Sequence, residues 1–175
     1  MQPLSPTPSR LVAVVRHAKA EPDGATDFDR PLAERGHRDA AALGAWLAAE
    51  GFEPEHALVS AALRTRETWA SMAAGADWDL DPDLDRGLYA AGPESALDLV
   101  RLVDDGVRRL LVVGHNPTMA SLAQLLDDGD GDAELATEMT SGFPTSAVAV
   151  FSYDGSWSDL DQGTARLVGF HVGRG

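Results

Sequence analysis

Three short apolar runs constrain this chain most, because each stops abruptly and a cationic side chain follows. Leu11 to Val15 reads Leu-Val-Ala-Val-Val and runs straight into Arg16-His17. Ala57 to Ser60 is followed by a turn and then by Arg64 and Arg66. Leu110 to Val113 leads into Gly114-His115-Asn116-Pro117. Short β-branched runs bounded by polar residues are buried strands. Between them lie stretches with helical spacing. From Ala33 to Glu50, Leu43, Trp46 and Leu47 share a face, with Gly51 as the stop and Gly36 and Gly44 inside. A second helix follows Ser60, a candidate cap, and ends at Gly75. "SALDLVRLVDDG" and the segment after His115 give two more. "ADWDLDPDLDRGLYAAGPES" reads as an acidic loop and "DDGDGDAE" as a polar one. "SAVAVFSYDGSW" and "TARLVGFHV" read as a late, hairpin-like pair of strands. Alternating strands and helices predict an α/β fold, a three-layer α/β/α sandwich with a mostly parallel central sheet and helices on both faces.

At 175 residues the chain predicts one domain, 11–175. Residues 1–10, "MQPLSPTPSR", are expected to be a disordered tail. This start has neither the basic opening nor the apolar stretch of a secretory signal. No window approaches the roughly 18 apolar residues of a membrane span. With no cysteine, disulfides, thiolate nucleophiles and cysteine metal sites are excluded, and a cytoplasmic location is expected. The net charge of −14 is the wrong sign for a nucleic-acid or acidic-membrane partner, so neither is expected. It also makes any local gathering of cations informative.

In an open parallel sheet, ligands sit beyond the carboxyl ends of the strands. The three strand exits therefore bring His17, His115, Arg16 and Arg64 to one place, where helix N-termini add positive dipole ends. Such a pocket suits a tetrahedral dianion. A neutral nitrogen of His17 is the candidate nucleophile for phosphoryl transfer. Arg16 and Arg64 would hold the equatorial oxygens, and a protonated His115 would add a third positive donor. Asn116 beside it is a further candidate for substrate contact. Each residue alone has an ordinary structural reading; the joint occurrence at three strand exits of an acidic chain outweighs those readings. His37, His56 and His171 are read as structural.

Metal and nucleotide readings fail on spacing. Counted from Asp128, Asp130 and Asp132 fit a calcium loop, but Ala133 stands where its glycine belongs and Met139 where its glutamate belongs. No P-loop or dinucleotide glycine pattern follows any strand.

The same segments resemble the histidine phosphatase superfamily, also called phosphoglycerate-mutase-like, and within it the small SixA-like phosphohistidine phosphatases. "VVRHAKAE" is similar to the family's Arg-His-Gly signature, and "DFDRPLAERG" resembles the Arg-Pro-Leu-x-x-x-Gly segment of the SixA-like branch. "LVSAALRTRETW", "LLVVGHNPTM" and "FPTSAVAVF" resemble three further family segments in the same order, and the likeness runs from Leu11 to Phe151. It implies the phosphoglycerate-mutase-like fold, His17 as nucleophile, Arg16, Arg64 and His115 as the phosphate pocket, Arg30 as a further phosphate or substrate contact, and no metal or organic cofactor.

Two positions depart from the family. Ala18 replaces the glycine after the histidine, which would be strained if that position needed a positive φ. The glutamate general acid of larger members has no clear counterpart; Asp85 and Glu94 are the candidates. Without an acid, a good leaving group is required, and imidazole is a far better one than an alkoxide. An N–P bond fits this, as an aryl or acyl phosphate would equally, and with the SixA-like resemblance the expected substrate is phosphohistidine in a protein. A small phosphorylated metabolite is the alternative, and a non-catalytic phosphate-binding module the rival from another class.

Overall fold

The computed structural model describes residues 9–175, so most of the expected tail lies outside the described residues. The first strand already begins at Arg10, inside the segment expected to be tail. Among the described residues six strands form one sheet: β1 (Arg10–Arg16), β2 (His56–Ser60), β3 (Asp83–Asp85), β4 (Arg109–Gly114), β5 (Ala147–Tyr153) and β6 (Arg166–Val172). Their order is β3-β2-β4-β1-β5-β6. The first four run parallel to one another, and β5 and β6 are added antiparallel as the late hairpin.

Alternation along the strands builds two cores. Val12, Val14, Leu58, Leu110, Val112, Ala149 and Phe151 face one side. There they meet α4 (Pro93–Arg101), α5 (Thr118–Leu126) and α6 (Ala133–Ser141). Ala13, Val15, Val59, Leu111, Val113 and Val148 face the other. They pack on Leu43 and Leu47 of α1 (Glu34–Ala49) and on Trp69 and Met72 of α2 (Leu63–Ala76). The result is the expected three-layer sandwich. Each fully buried aliphatic side chain contributes about 1.5–3 kcal/mol relative to exposure.

Two glycines explain how α1 sits so close to its neighbours. A Cβ on Gly36 would come within 2.1 Å of the Lys19 carbonyl oxygen, and one on Gly44 within 2.0 Å of that of Met72. Their helix-weakening character is offset by this close approach.

Four local expectations are revised. Ser60 does not cap α2; Ala62 holds the N-cap position, and the Ser60 hydroxyl is engaged elsewhere. Gly75 lies within α2, which ends at Asp77 in the left-handed region, φ 58°. The acidic stretch is not all loop. Leu58 to Ser60 pair with Asp83 to Asp85 as a short parallel edge, and α3 (Arg86–Tyr89) follows. Ala133 and Glu134, expected in a loop, begin α6, which Asp132 caps by accepting from the Glu134 and Leu135 N–H groups.

Strand register positions the site. Arg16 is level with Gly114 across β1 and β4, and the His17 N–H still donates to the Gly114 carbonyl at 3.0 Å. His17 and His115 therefore leave adjacent parallel strands at the same height. Val59 is level with Val113, which puts Ser60 beside the same exit.

Candidate active site

The imidazoles of His17 and His115 lie 5.4 Å apart, centroid to centroid. His17 is only 8% exposed. Its Nδ1 is 2.7 Å from the Ala18 carbonyl oxygen. A carbonyl only accepts, so Nδ1 carries the proton and Nε2 keeps its lone pair. Ala18 causes no strain, since it is absent from the positive-φ positions, and its N–H donates to Thr68 Oγ1.

His115 Nε2 sits 2.7 Å from Ser60 Oγ. Among the described residues that hydroxyl otherwise meets only the Ala62 N–H, itself a donor at 3.4 Å, so the imidazole nitrogen is the acceptor for its proton. This leaves the proton of His115 on Nδ1, which is buried and has no hydrogen-bond partner among the described residues.

Three arginines surround the pair. Arg64 is 6% exposed; one terminal nitrogen donates to the Asp27 carbonyl at 2.7 Å and the other to Asp27 Oδ2 at 3.1 Å. Arg16 donates to the Phe143 carbonyl at 3.1 Å. Arg30 Nε lies 3.3 Å from Asp27 Oδ1, an ion pair whose angle makes no hydrogen bond. Among the described residues the Nε groups of Arg16 and Arg64 and the Nδ1 of His115 are buried with no hydrogen-bond partner, and Arg30 Nε has only its ion pair with Asp27. Buried donors are ordinarily satisfied, so three orphans beside two histidines, with the Arg30 charge close by, describe a cradle for an anion.

Asp27 organises the mouth and was not marked by the sequence reading. Besides Arg64 and Arg30, it accepts from the Tyr89 hydroxyl at 2.6 Å. That bond and the arginines hold its carboxyl below the ordinary range, while the Tyr89 phenol is pushed up. Its spacing of three from Arg30 was the one available signal.

Other candidates are engaged in structural contacts or lie on the surface. Asn116 has both ends of its amide engaged, donating to the Phe143 carbonyl and accepting from the Ala120 N–H, which makes it a positioning residue. Asp85 caps α3 by accepting from the Leu88 N–H. Glu94 is exposed in the first turn of α4, on a flank shared with Arg101 and Asp161. Arg66 folds back to the Ala61 carbonyl. His37 contacts Ser71, His56 pairs with Asp83, and His171 stacks on Trp46, in keeping with structural roles.

Electrostatics correct one expectation. Burial, then the nearby Arg64 and His17, push the His115 pKa down to about 3. It is a neutral N–H donor at pH 7, not a third positive charge. Burial likewise pushes His17 down to about 4, with Arg64, Arg16 and Arg30 adding and the Ala18 carbonyl opposing. A neutral His17 keeps its nucleophilic lone pair.

A stability prediction follows from these two shifts. Both folded-state values lie below the unfolded value near 6.5, so the unfolded chain takes up these protons first. Their stabilising contribution is complete above about pH 6.5. It is lost as pH falls toward 4, with a slope of up to about 2.7 kcal/mol per pH unit if both contribute fully. Urea midpoints should drop between pH 7.5 and 5.0, and the His17→Gln/His115→Gln double variant should flatten that drop. An equal drop in both proteins contradicts the assignment.

Two histidines and three arginines gathered beyond the carboxyl ends of parallel strands form a site of the kind that suits a protein acting on phosphoryl groups. Residues 12–89 match the model of the histidine phosphatase superfamily (branch 1). Phosphohistidine phosphatase SixA of Escherichia coli is 31% identical over 153 residues, covering 83% of this chain and 86% of that protein. An uncharacterized protein of Mycobacterium tuberculosis, Rv1276c, is 43% identical over 162 residues, 91% of this chain and all of the relative. Among solved structures, a candidate phosphohistidine phosphatase SixA from Nakamurella multipartitia superposes with a TM-score of 0.85 at 30% identity, covering 97% of this chain and 99% of that one. The chain belongs to the histidine phosphatase superfamily and is a phosphatase of that family, with phosphorylated compounds as its substrates.

Proposed function

We propose that the protein hydrolyses phosphohistidine in a protein substrate through a covalent intermediate on His17, without a metal. The observation that carries this reading is the free Nε2 of His17, its ring 5.4 Å from that of His115 and within the field of Arg64, Arg16 and Arg30. His17 Nε2 attacks phosphorus in line while Arg16, Arg64, Arg30 and the Nδ1–H of His115 hold the oxygens. The substrate's N–P bond breaks with its electron pair going to the leaving imidazole. When the other ring nitrogen of that imidazole is already protonated, the product leaves neutral and no acid is needed. Water then attacks the phosphorylated His17, releasing phosphate and restoring Nε2.

Two observations favour an N–P bond over an alkyl ester. Neither Asp85 nor Glu94 is placed as an acid, and Asp27 is held ionised by its partners. The likeness to the SixA of Escherichia coli supports the same substrate class.

The test is a substrate panel. A phosphohistidine peptide should exceed sugar phosphates in kcat/KM by about 100-fold or more, the order associated with loss of acid catalysis. The rate should survive EDTA and be inhibited by tungstate. Faster turnover of a sugar phosphate would select the metabolite alternative. Loss of rate on chelation, restored by a divalent ion, would replace the mechanism.

A further inference from the structure

The cradle explains how a phosphoryl group is held but not what stands behind it. Beyond His115 two more rings continue outward. The Tyr89 ring meets His115 edge-on, centroids 5.4 Å apart, and the Phe28 ring meets Tyr89 at 5.0 Å and 90°. With His17 and His115 also 5.4 Å apart, four rings form a contiguous file from the buried candidate nucleophile to the surface. Phe28 and Tyr89 are both half-buried, and thus still reachable from solvent.

Several contacts fix this wall in place. The Arg64 guanidinium lies 5.9 Å from the Tyr89 ring centroid, and the Tyr89 hydroxyl is anchored on Asp27. At the outer end the guanidinium of Arg86 lies 5.2 Å from the Phe28 ring centroid. Phe28 sits in the 3₁₀ turn Asp27–Asp29, next to the carboxylate that holds Arg64. A mouth that had only to admit any phosphomonoester would have no need of two fixed rings there.

We infer that Phe28 and Tyr89 are specificity-determining residues that receive a planar aromatic leaving group, so that phosphoryl groups on an imidazole or a phenol are favoured over those on ring-free carriers. The inference deepens the proposed function and rests on its phosphoryl transfer through His17. Edge-on and offset ring contacts supply the preference, and they are made only by a leaving group that is itself a ring. Imidazole and phenol share this chemistry, and the measurements below separate them.

The test compares three phosphodonors with good leaving groups: a phosphohistidine peptide, 4-nitrophenyl phosphate and ring-free acetyl phosphate. In Phe28→Leu, the ratio of kcat/KM for each ring-bearing donor to that for acetyl phosphate should fall about 3- to 10-fold. Phe28→Trp should hold both ratios within about twofold, because it retains a π face. A merely structural role would lower all three donors together and leave the ratios unmoved, which would overturn the inference. If 4-nitrophenyl phosphate shows the ratio change while the phosphohistidine peptide is not hydrolysed at all, the ring preference stands and the proposed natural substrate falls. If the peptide is hydrolysed well and neither ratio moves in Phe28→Leu, the proposed substrate stands and the ring preference falls.

Discussion

His17→Asn should reduce phosphatase turnover by about 10⁴-fold or more while leaving the fold intact. The size follows from the role. Removing a donor weakens stabilisation of the transition state, whereas removing the nucleophile eliminates the covalent path itself. The surrounding structure makes a clean experiment possible. His17 contributes one side-chain hydrogen bond, from Nδ1 to the Ala18 carbonyl, and the asparagine amide places an N–H donor at the same δ position. Its backbone contacts, from its N–H to Gly114 and from the Ser146 N–H to its carbonyl, do not depend on the side chain. Labelling with a phosphodonor, quenched in alkali because a phosphohistidine N–P bond is lost in acid, should mark wild-type His17 and leave the variant unlabelled. Binding of tungstate should persist, because the arginines remain. Near-normal turnover in His17→Asn would remove the covalent mechanism.

Much of this arrangement was legible in the sequence, for identifiable reasons. The strands β1, β2 and β4 are short apolar runs whose residues are buried on both faces of the sheet, as a doubly covered parallel sheet demands. Because ligands gather at strand carboxyl ends, the residues after those runs were already candidates. What was not legible depends on distant partners. β3 is three residues, two of them exposed, and exists because β2 offers an unpaired edge. The start of α6 read as loop because the helix buries little, chiefly Met139, and depends on Asp132 as cap. Asp27 sits in a loop whose path back to Arg64 no local pattern encodes. The neutrality of His115 is a property of burial and of Arg64, neither visible in Gly-His-Asn-Pro. Ala18 is tolerated because its backbone stays in the ordinary negative-φ range, which the substitution alone does not reveal.

Arg64→Met should lower kcat/KM by about 10²- to 10³-fold, the loss expected when one preorganised donor to a developing oxyanion is removed. Methionine keeps much of the stem volume, so the packing between α2 and the sheet is largely preserved. The charge left behind is Asp27, whose side chain is 58% exposed and therefore solvated, so no buried carboxylate is stranded. Stability should change little as a result, which separates this variant from one that merely unfolds. A second readout identifies the field that Arg64 exerts on the nucleophile. Among the charges that depress His17, Arg64 is the largest, ahead of Arg16 and Arg30, although burial acts more strongly than any of them. Without it the His17 pKa should move up from about 4 toward 6.5 without reaching it, since burial remains. An NMR titration of the His17 ring would show that displacement, and the acid limb of the pH–rate profile should shift in the same direction. Tungstate inhibition should weaken in parallel with kcat/KM, because the same guanidinium serves both. If activity falls while the His17 titration stays in place, Arg64 acts through the Asp27–Tyr89 contacts at the mouth and not on the phosphoryl group. If both move together, the arginine holds the transferred group and tunes the nucleophile at once.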